Sequence, residues 1–213
     1  LGAKTEEFEK KFAAFVGAKY AVGLTNATMG LDLAVKATIG EEYETVISPN
    51  ERKEIILPAL TFVSTGLAAI YNNYKVVFAD VDEETLCIDW KDAINKITDN
   101  TKAIIPVHYA GKNAFSVKHV DDGVVVIEDA AHAVGTKDIA HNTTCWSFHA
   151  VKNLSTGDGG MITTNDEEVY KKLLPLRWVG IDKSTYQRQK AKGYNWDYNI
   201  ETVGYKCHMN DIT

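Results

Sequence analysis

The sequence predicts an α/β fold in which a parallel or mixed sheet is covered by helices on both faces. Three observations carry this reading. Short apolar runs such as EIILP, KVVFA and VVVIED have the character of strands buried on both sides. Segments with apolar residues at helical spacing lie between several of these runs. Strand and helix patterns alternate along most of the chain, as layered α/β domains require. Ligands of such sheets bind beyond the carboxyl ends of the strands, so those ends and the loops after them are where chemistry is sought.

The elements follow in order. Phe8, Phe12 and Phe15 fall at i, i+4 and i+7, which predicts an amphipathic helix from Thr5 to Val16 with Thr5 as its N-cap. GAKYAVGL is a short strand. TNATMGLDLAVKAT is a turn leading into a helix with Leu31, Ala34 and Val35 on one face. The polar segment around EEYETVISPN is a surface excursion, and EIILP is a buried strand with a proline stop. TFVSTGLAAIYN has Val63, Leu67 and Ile70 at helical spacing. KVVFADVD is a strand ending in acids, Asp89 to Ile97 a short helix, and TKAIIPVHY another strand. DGVVVIEDAAHA is an apolar strand that also ends on acids. TTCWSFH and GGMITT are two further strands. Val169, Leu173 and Leu176 mark a helix after Asn165, and beyond Arg177 the pattern weakens.

The bulk properties narrow the function. The chain has 213 residues, 45% hydrophobic and 24% charged, which is an ordinary globular composition. A formal net charge of −6 argues against general nucleic-acid binding. Cys87, Cys145 and Cys207 show no metal-type spacing and no even disulfide set, so a reducing cytoplasm is expected and no metal is. No apolar run approaches the roughly 20 residues of a membrane helix. The chain opens on Leu1 and closes on NDIT, both abrupt, and segments are expected to be missing at each end.

Four features carry chemistry. TNATMG places small residues at a strand-to-helix turn, where backbone N–H groups and the helix dipole attract an anion; alternatively Thr25 or Asn26 only caps the helix. Asp129, ending a buried strand, needs a positive partner such as a pyridinium N–H; alternatively it caps the next turn or faces a buried arginine. His132, three residues on, could stack on or hydrogen-bond the same ligand; alternatively it is a satisfied structural histidine. Phe62 after the ALT turn could lie flat on a heteroaromatic ring, or be core. In SFHAVKNLSTGDGGM, Lys152 is a candidate Schiff-base former and Ser147 offers a hydroxyl to a phosphate; alternatively Lys152 is a solvated loop lysine. Together they describe a flat cationic ring with an aldehyde and a phosphate, which is pyridoxal 5'-phosphate.

These residues lie in stretches that closely resemble the DegT-type nucleotide-sugar aminotransferases, which are fold type I pyridoxal phosphate enzymes. The matching stretches are GAKYAVGLTNATMGL, ILPALTFVSTG, VVFADVDEETL, TKAIIPVHYAG, VVIEDAAHAVGT, SFHAVKNLSTGDGGMITT and GYKCHMNDI. Among relatives the chain looks nearest the aminotransferase that forms UDP-aminoarabinose for lipid A modification. The resemblance implies a three-layer α/β/α large domain with a mostly parallel mixed sheet over residues 1–178, and a segment 179–213 leading toward a smaller domain. It implies that Lys152 carries the cofactor, Asp129 pairs with the ring nitrogen, Phe62 stacks on the ring and His132 lies beside it. Ala27, Thr28, Met29 and Ser147 would bind the phosphate. It further implies an amino-acid donor, with glutamate expected, a nucleotide-linked keto-sugar acceptor and a homodimer.

The chain departs from the family pattern at several places. Asn26-Ala27-Thr28 stands for the usual Ser-Gly-Thr and Asp158 for a Glu. The stretches Lys112–Asp121 and Thr136–Thr144 are short. His208 replaces an Asn or Arg that reaches the partner subunit's phosphate site, a role it could fill only if protonated or by donating from one nitrogen. Two other readings stand beside the transaminase. A cofactor-binding or regulatory relative without turnover is one. A sugar dehydratase is the other, but those relatives carry histidine where this chain has Lys152.

Overall fold

Among the described residues, seven strands form one mixed sheet in the order β1-β7-β6-β5-β4-β2-β3. The computed structural model describes residues 2–40, 52–115, 120, 123–183 and 198–213. The polar excursion expected around residues 41–51 lies outside the described residues, as do parts of the two regions 112–121 and 179–213. The strands are β1 Tyr20–Leu24, β2 Glu54–Pro58, β3 Lys75–Ala79, β4 Thr101–Ile104, β5 Val125–Asp129, β6 Thr143–Ser147 and β7 Gly160–Thr164. The helices are α1 Ala3–Val16, α2 Ala27–Ile39, α3 Val63–Tyr71, α4 Trp90–Asn95 and α5 Glu167–Leu176. Every strand pair is parallel except those made by β7, which runs against both β1 and β6.

Alternation along the strands builds the three layers. Ile55, Leu57, Ile127, Cys145 and Ile162 face a core shared with Leu31, Leu33 and Val35 of α2, Ala68 and Ala69 of α3, and Leu173 of α5. The residues between them point the other way. Trp146 and Met161 pack with Phe12 of α1, and Ile56 and Ile104 with Trp90 of α4. The sheet is therefore buried on both faces, which is why its strands read as unbroken apolar runs.

The structure refines the sequence reading at four places. Thr5 does not cap α1. Gly2 holds the N-cap position without a side-chain bond, and Asp211, from the other end of the chain, accepts from the backbone N–H groups of Lys4 at 3.2 Å and Thr5 at 2.9 Å. Phe15 is exposed, so only Phe12 and part of Phe8 serve the core. In α3 the large residues face outward: Val63 and Ile70 are exposed, whereas Ser64, Thr65, Ala68 and Ala69 are buried. Small side chains are what let α3 lie close against α2. The strand expected over TKAIIPVHY ends at Ile104, although Val107 still bridges to Asp129.

The end of the chain returns to the sheet. Thr25 N–H donates to the Cys207 carbonyl at 2.8 Å, and Leu24 pairs with His208. Residues of the expected connecting segment thus flank β1.

Candidate active site

The ends of β1, β2, β5 and β6 and the start of β7 meet at one edge of the sheet, where a cavity of about 520 Å³ opens. It is lined by Ala27, Thr28, Phe62, Asp129, His132, Ser147 and Lys152, among others, so seven of the nine sequence candidates share it. Its size suits a small organic ligand.

The candidate anion-binding end is built by α2. Asn26 Oδ1 accepts from Met29 N–H at 2.9 Å, so the capping reading of TNATMG holds for that residue. The N–H groups of Ala27 and Thr28 stand earlier in the first turn, where no intrahelical acceptor exists, and both residues line the cavity. Thr28 Oγ1 lies 2.7 Å from Ser64 Oγ, and Ser147 is almost fully buried on the facing strand. The helix approaches because β7 begins with Gly160. A Cβ there would come within 2.4 Å of the Asn26 carbonyl carbon and 2.7 Å of the Ala27 nitrogen.

Asp129 lines the same cavity. It is only 3% exposed, and both oxygens are engaged: Oδ1 accepts from Ala131 N–H at 3.1 Å and Oδ2 from Thr65 Oγ1 at 2.7 Å. It therefore caps the turn and also faces the cavity. The buried arginine among the described residues, Arg177, is paired with Glu9 instead. Lys152 is half-buried on the loop after β6. Burial holds its amine below the ordinary value of 10.5, and the negative charge of Asp129 opposes that shift. Phe62 is 71% exposed, so it is not core; it stands at the rim, just before α3.

His132 is fixed by a strained turn. Ala110 adopts φ 51° and Gly111 φ 81°, and this left-handed pair aims the Ala110 N–H at His132 Nδ1, 3.4 Å away. Nδ1 is thus the acceptor. Burial, and then the Lys152 charge, hold the imidazole below its ordinary 6.5, with Asp129 opposing.

Two candidates lie elsewhere. The N–H of Met29 is taken by Asn26, and its side chain packs on the core, so it offers nothing to the cavity. His208 stands edge-on to Trp178, with ring centroids 4.3 Å apart, and does not line the cavity. Burial and nearby positive charge, Lys206 and Arg177 among them, bring it down to about 4. At neutral pH it is uncharged, which leaves donation from one nitrogen as the way it can serve a phosphate.

Sequence reasoning missed a support beneath the site. His108 and Glu128 are both fully buried, with Nε2 3.0 Å from Oε2. Ala114 N–H donates to His108 Nδ1 at 3.0 Å, so the ring proton sits on Nε2 and points at the carboxylate. Ala140 and Asn142 donate to Glu128 as well. The signal was present in a charged residue inside an otherwise apolar strand, which burial on both faces obliges to find donors.

A mostly parallel seven-stranded sheet with one reversed strand, helices on both faces, and a lysine and an aspartate sharing a cavity at the strand ends define the large domain of fold type I pyridoxal phosphate enzymes. More particularly, the chain belongs to the DegT/DnrJ/EryC1/StrS aminotransferase family, whose pattern matches residues 1–213. It is 41% identical to spore coat polysaccharide biosynthesis protein SpsC of Bacillus subtilis, over 99% of this chain and 54% of SpsC. Among solved structures it resembles PseC of Helicobacter pylori, an aminotransferase involved in the biosynthesis of pseudoaminic acid, with a TM-score of 0.82 at 26% identity over 99% of this chain and 55% of PseC. It also resembles the sugar aminotransferase CalS13 of Micromonospora echinospora, with a TM-score of 0.78 at 27% identity over 99% of this chain and 58% of the other. The chain spans about half the length of the curated relatives it matches.

Proposed function

We propose that this chain carries the cofactor site of a pyridoxal phosphate-dependent aminotransferase that moves an amino group from an amino acid, with glutamate expected, to a nucleotide-linked keto-sugar. The observation that carries this is the placement of Lys152 and Asp129 on one cavity whose far end is a helix N-terminus beside Ser147. The residues fit the group chemically: a primary amine for its aldehyde, a carboxylate for its ring nitrogen, and Ala27, Thr28 and Ser147 for its phosphate. Phe62 and His132 would bound the ring.

When bound, the cofactor supplies an electron sink. The protein supplies the rest. Asp129, held by Thr65 and Ala131, keeps a negative charge where a ring N–H would stand. The Lys152 amine, made easier to deprotonate by burial, would accept the proton released at the amino-bearing carbon of the substrate and return one to the carbon on the other side of that nitrogen. The first turn of α2 holds the phosphate by backbone donors and its dipole.

The finer readings rest on resemblance. The nearest activity proposed is formation of UDP-aminoarabinose, within lipopolysaccharide or other surface-polysaccharide synthesis, and SpsC gives the broader polysaccharide context its support. A homodimer is proposed because Phe62 just before α3, Val63, Ile70 and Tyr71 on α3, and Phe78 on the edge strand β3 stand exposed. Residues 1–178 would be the cofactor domain and 179–213 the lead toward a further one. A cytoplasmic setting accords with three buried free thiols. No helix among the described residues is long and apolar enough to cross a membrane.

The test is borohydride reduction of the protein incubated with pyridoxal phosphate, followed by peptide mass spectrometry. A pyridoxyl group on Lys152, absent in Lys152→Ala, is expected. No adduct at saturating cofactor overturns the reading. Incubation with glutamate then separates turnover from mere binding, because only an active protein converts the bound cofactor to its amine form.

A further inference from the structure

Thr65 does not line the cavity, yet it is fully buried and its hydroxyl is committed to Asp129. A threonine inside a helix ordinarily turns its hydroxyl back to a carbonyl of the preceding turn. Here Oγ1 donates to Asp129 Oδ2 at 2.7 Å instead. The direction is fixed by chemistry, since an ionised carboxylate only accepts. Thr65 has a single proton, so in its 2.7 Å contact with Thr61 Oγ1 the donor must be Thr61. Thr61 itself lines the cavity. The result is a directed chain of two hydroxyls, Thr61 to Thr65 to Asp129. On the other side of the carboxylate, Ala131 N–H donates to Oδ1 at 3.1 Å.

We propose that Thr65 is a positioning residue: it locks the rotation of the Asp129 carboxylate and disperses its charge, and so sets how strongly a ring nitrogen is held without touching the ligand. This rests on the functional reading above. Thr65 and Ala131 occupy two of the roughly four lone-pair directions of the carboxylate, which leaves about two for a donor from the cavity. Without the hydroxyl, Asp129 is held from one side only, and the carboxylate is free to rotate away from the ligand. The same α3 residues whose small size brings the helix against the sheet thus also place a hydroxyl on the strand end. Ser64, the neighbour of Thr65, holds Thr28 at the phosphate end, so one turn of α3 braces both ends of the site.

The experiment compares two probes, pyridoxal 5'-phosphate and its 1-deaza analogue, in which carbon replaces the ring nitrogen. Dissociation constants are read by absorbance titration for the unaltered protein, Thr65→Val, Thr65→Ala and Thr65→Ser, with thermal melting as the check on folding. Thr65→Val should bind pyridoxal 5'-phosphate about tenfold more weakly and the deaza analogue within about twofold of the unaltered protein. Thr65→Ser should recover the affinity for both. If Thr65→Val does not fold, Thr65→Ala, which introduces no new branch, carries the same expectation. Equal loss on both probes makes Thr65 merely structural and overturns the proposal, as does no loss on either. An unaltered protein that binds neither probe overturns the cofactor reading itself, a pattern distinct from both.

Discussion

Replacing Glu128 by Gln should unlatch the strand that presents Asp129. Glu128 is fully buried and receives four donors: His108 Nε2 at 3.0 Å and Ala140 N–H at 2.9 Å on one oxygen, Asn142 N–H at 2.9 Å and Asn142 Nδ2 at 3.3 Å on the other. An amide keeps one acceptor oxygen and turns the other into a donor. Whichever way it is turned, two donors then face an NH₂ group. Each lost hydrogen bond to a charged group is worth about 1.5–3 kcal/mol. Removing a buried charge offsets part of this, and disruption of a buried pair typically costs about 3–5 kcal/mol. A net loss of about 3 kcal/mol corresponds to roughly 6–12 °C in Tm for a domain of this size. The pH dependence gives a second handle. Burial alone would raise the Glu128 carboxyl, but His108, Ala140 and Asn142 outweigh it and hold the group below its ordinary 4.5. A carboxyl depressed in the folded state contributes stability that is complete above the unfolded value and is lost as pH falls through the folded one. The gap between the two proteins should therefore be full at neutral pH and shrink below pH 4.5. Thermal melts from pH 7 downward provide the assay. A variant within about 2 °C of the parent at pH 7, less than the shift expected for 1 kcal/mol, refutes the reasoning, as does a gap that stays constant into acid.

Two further predictions follow from the site. Gly160→Ala places a methyl 2.4 Å from backbone of the α2 first turn, so it should cost about 1–3 kcal/mol in urea unfolding and weaken phosphate binding; an unchanged midpoint refutes the close approach. Asp129→Asn removes the charge that opposes the burial shift of Lys152, so the amine should titrate lower still, measured as the pH dependence of its acetylation by mass spectrometry; an upward shift contradicts the electrostatic picture.

What was legible in the sequence was what local chemistry dictates. EIILP and VVIED read as strands because both faces of the sheet are buried, leaving no polar alternation to confuse them. Asp129 and Lys152 stood out because a charged group beside a buried strand is costly without a purpose. What was hidden depends on distance along the chain. Asp211 caps α1 from 206 residues away, so the nearby Thr5 looked like the cap. His108 and Glu128 are 20 residues apart, so although a charged residue inside an apolar strand calls for donors, nothing local points to His108 as one of them. Thr65 was read only as part of a helical pattern, since its partner lies 64 residues on. The stripe of Val63, Leu67 and Ile70 misleads for another reason. Apolar periodicity locates a helix but does not say which face goes inward, and close packing on α2 selected the small residues.

The one reversed strand explains why a helix N-terminus comes down to this edge. β6 and β1 both end there, at Ser147 and Leu24, and because β7 runs against them its first residue, Gly160, pairs with both. A parallel strand would have presented its last residue at the edge and continued into a crossover. Instead the edge holds a residue with no side chain, set between two strand ends. That leaves room for the first turn of α2 to descend until its backbone lies over Gly160. The unsatisfied N–H groups of Ala27 and Thr28 are thereby brought to the level of Ser147 and beside the cavity that Asp129 and Lys152 line. Strand direction, not the TNATMG turn alone, creates the cradle.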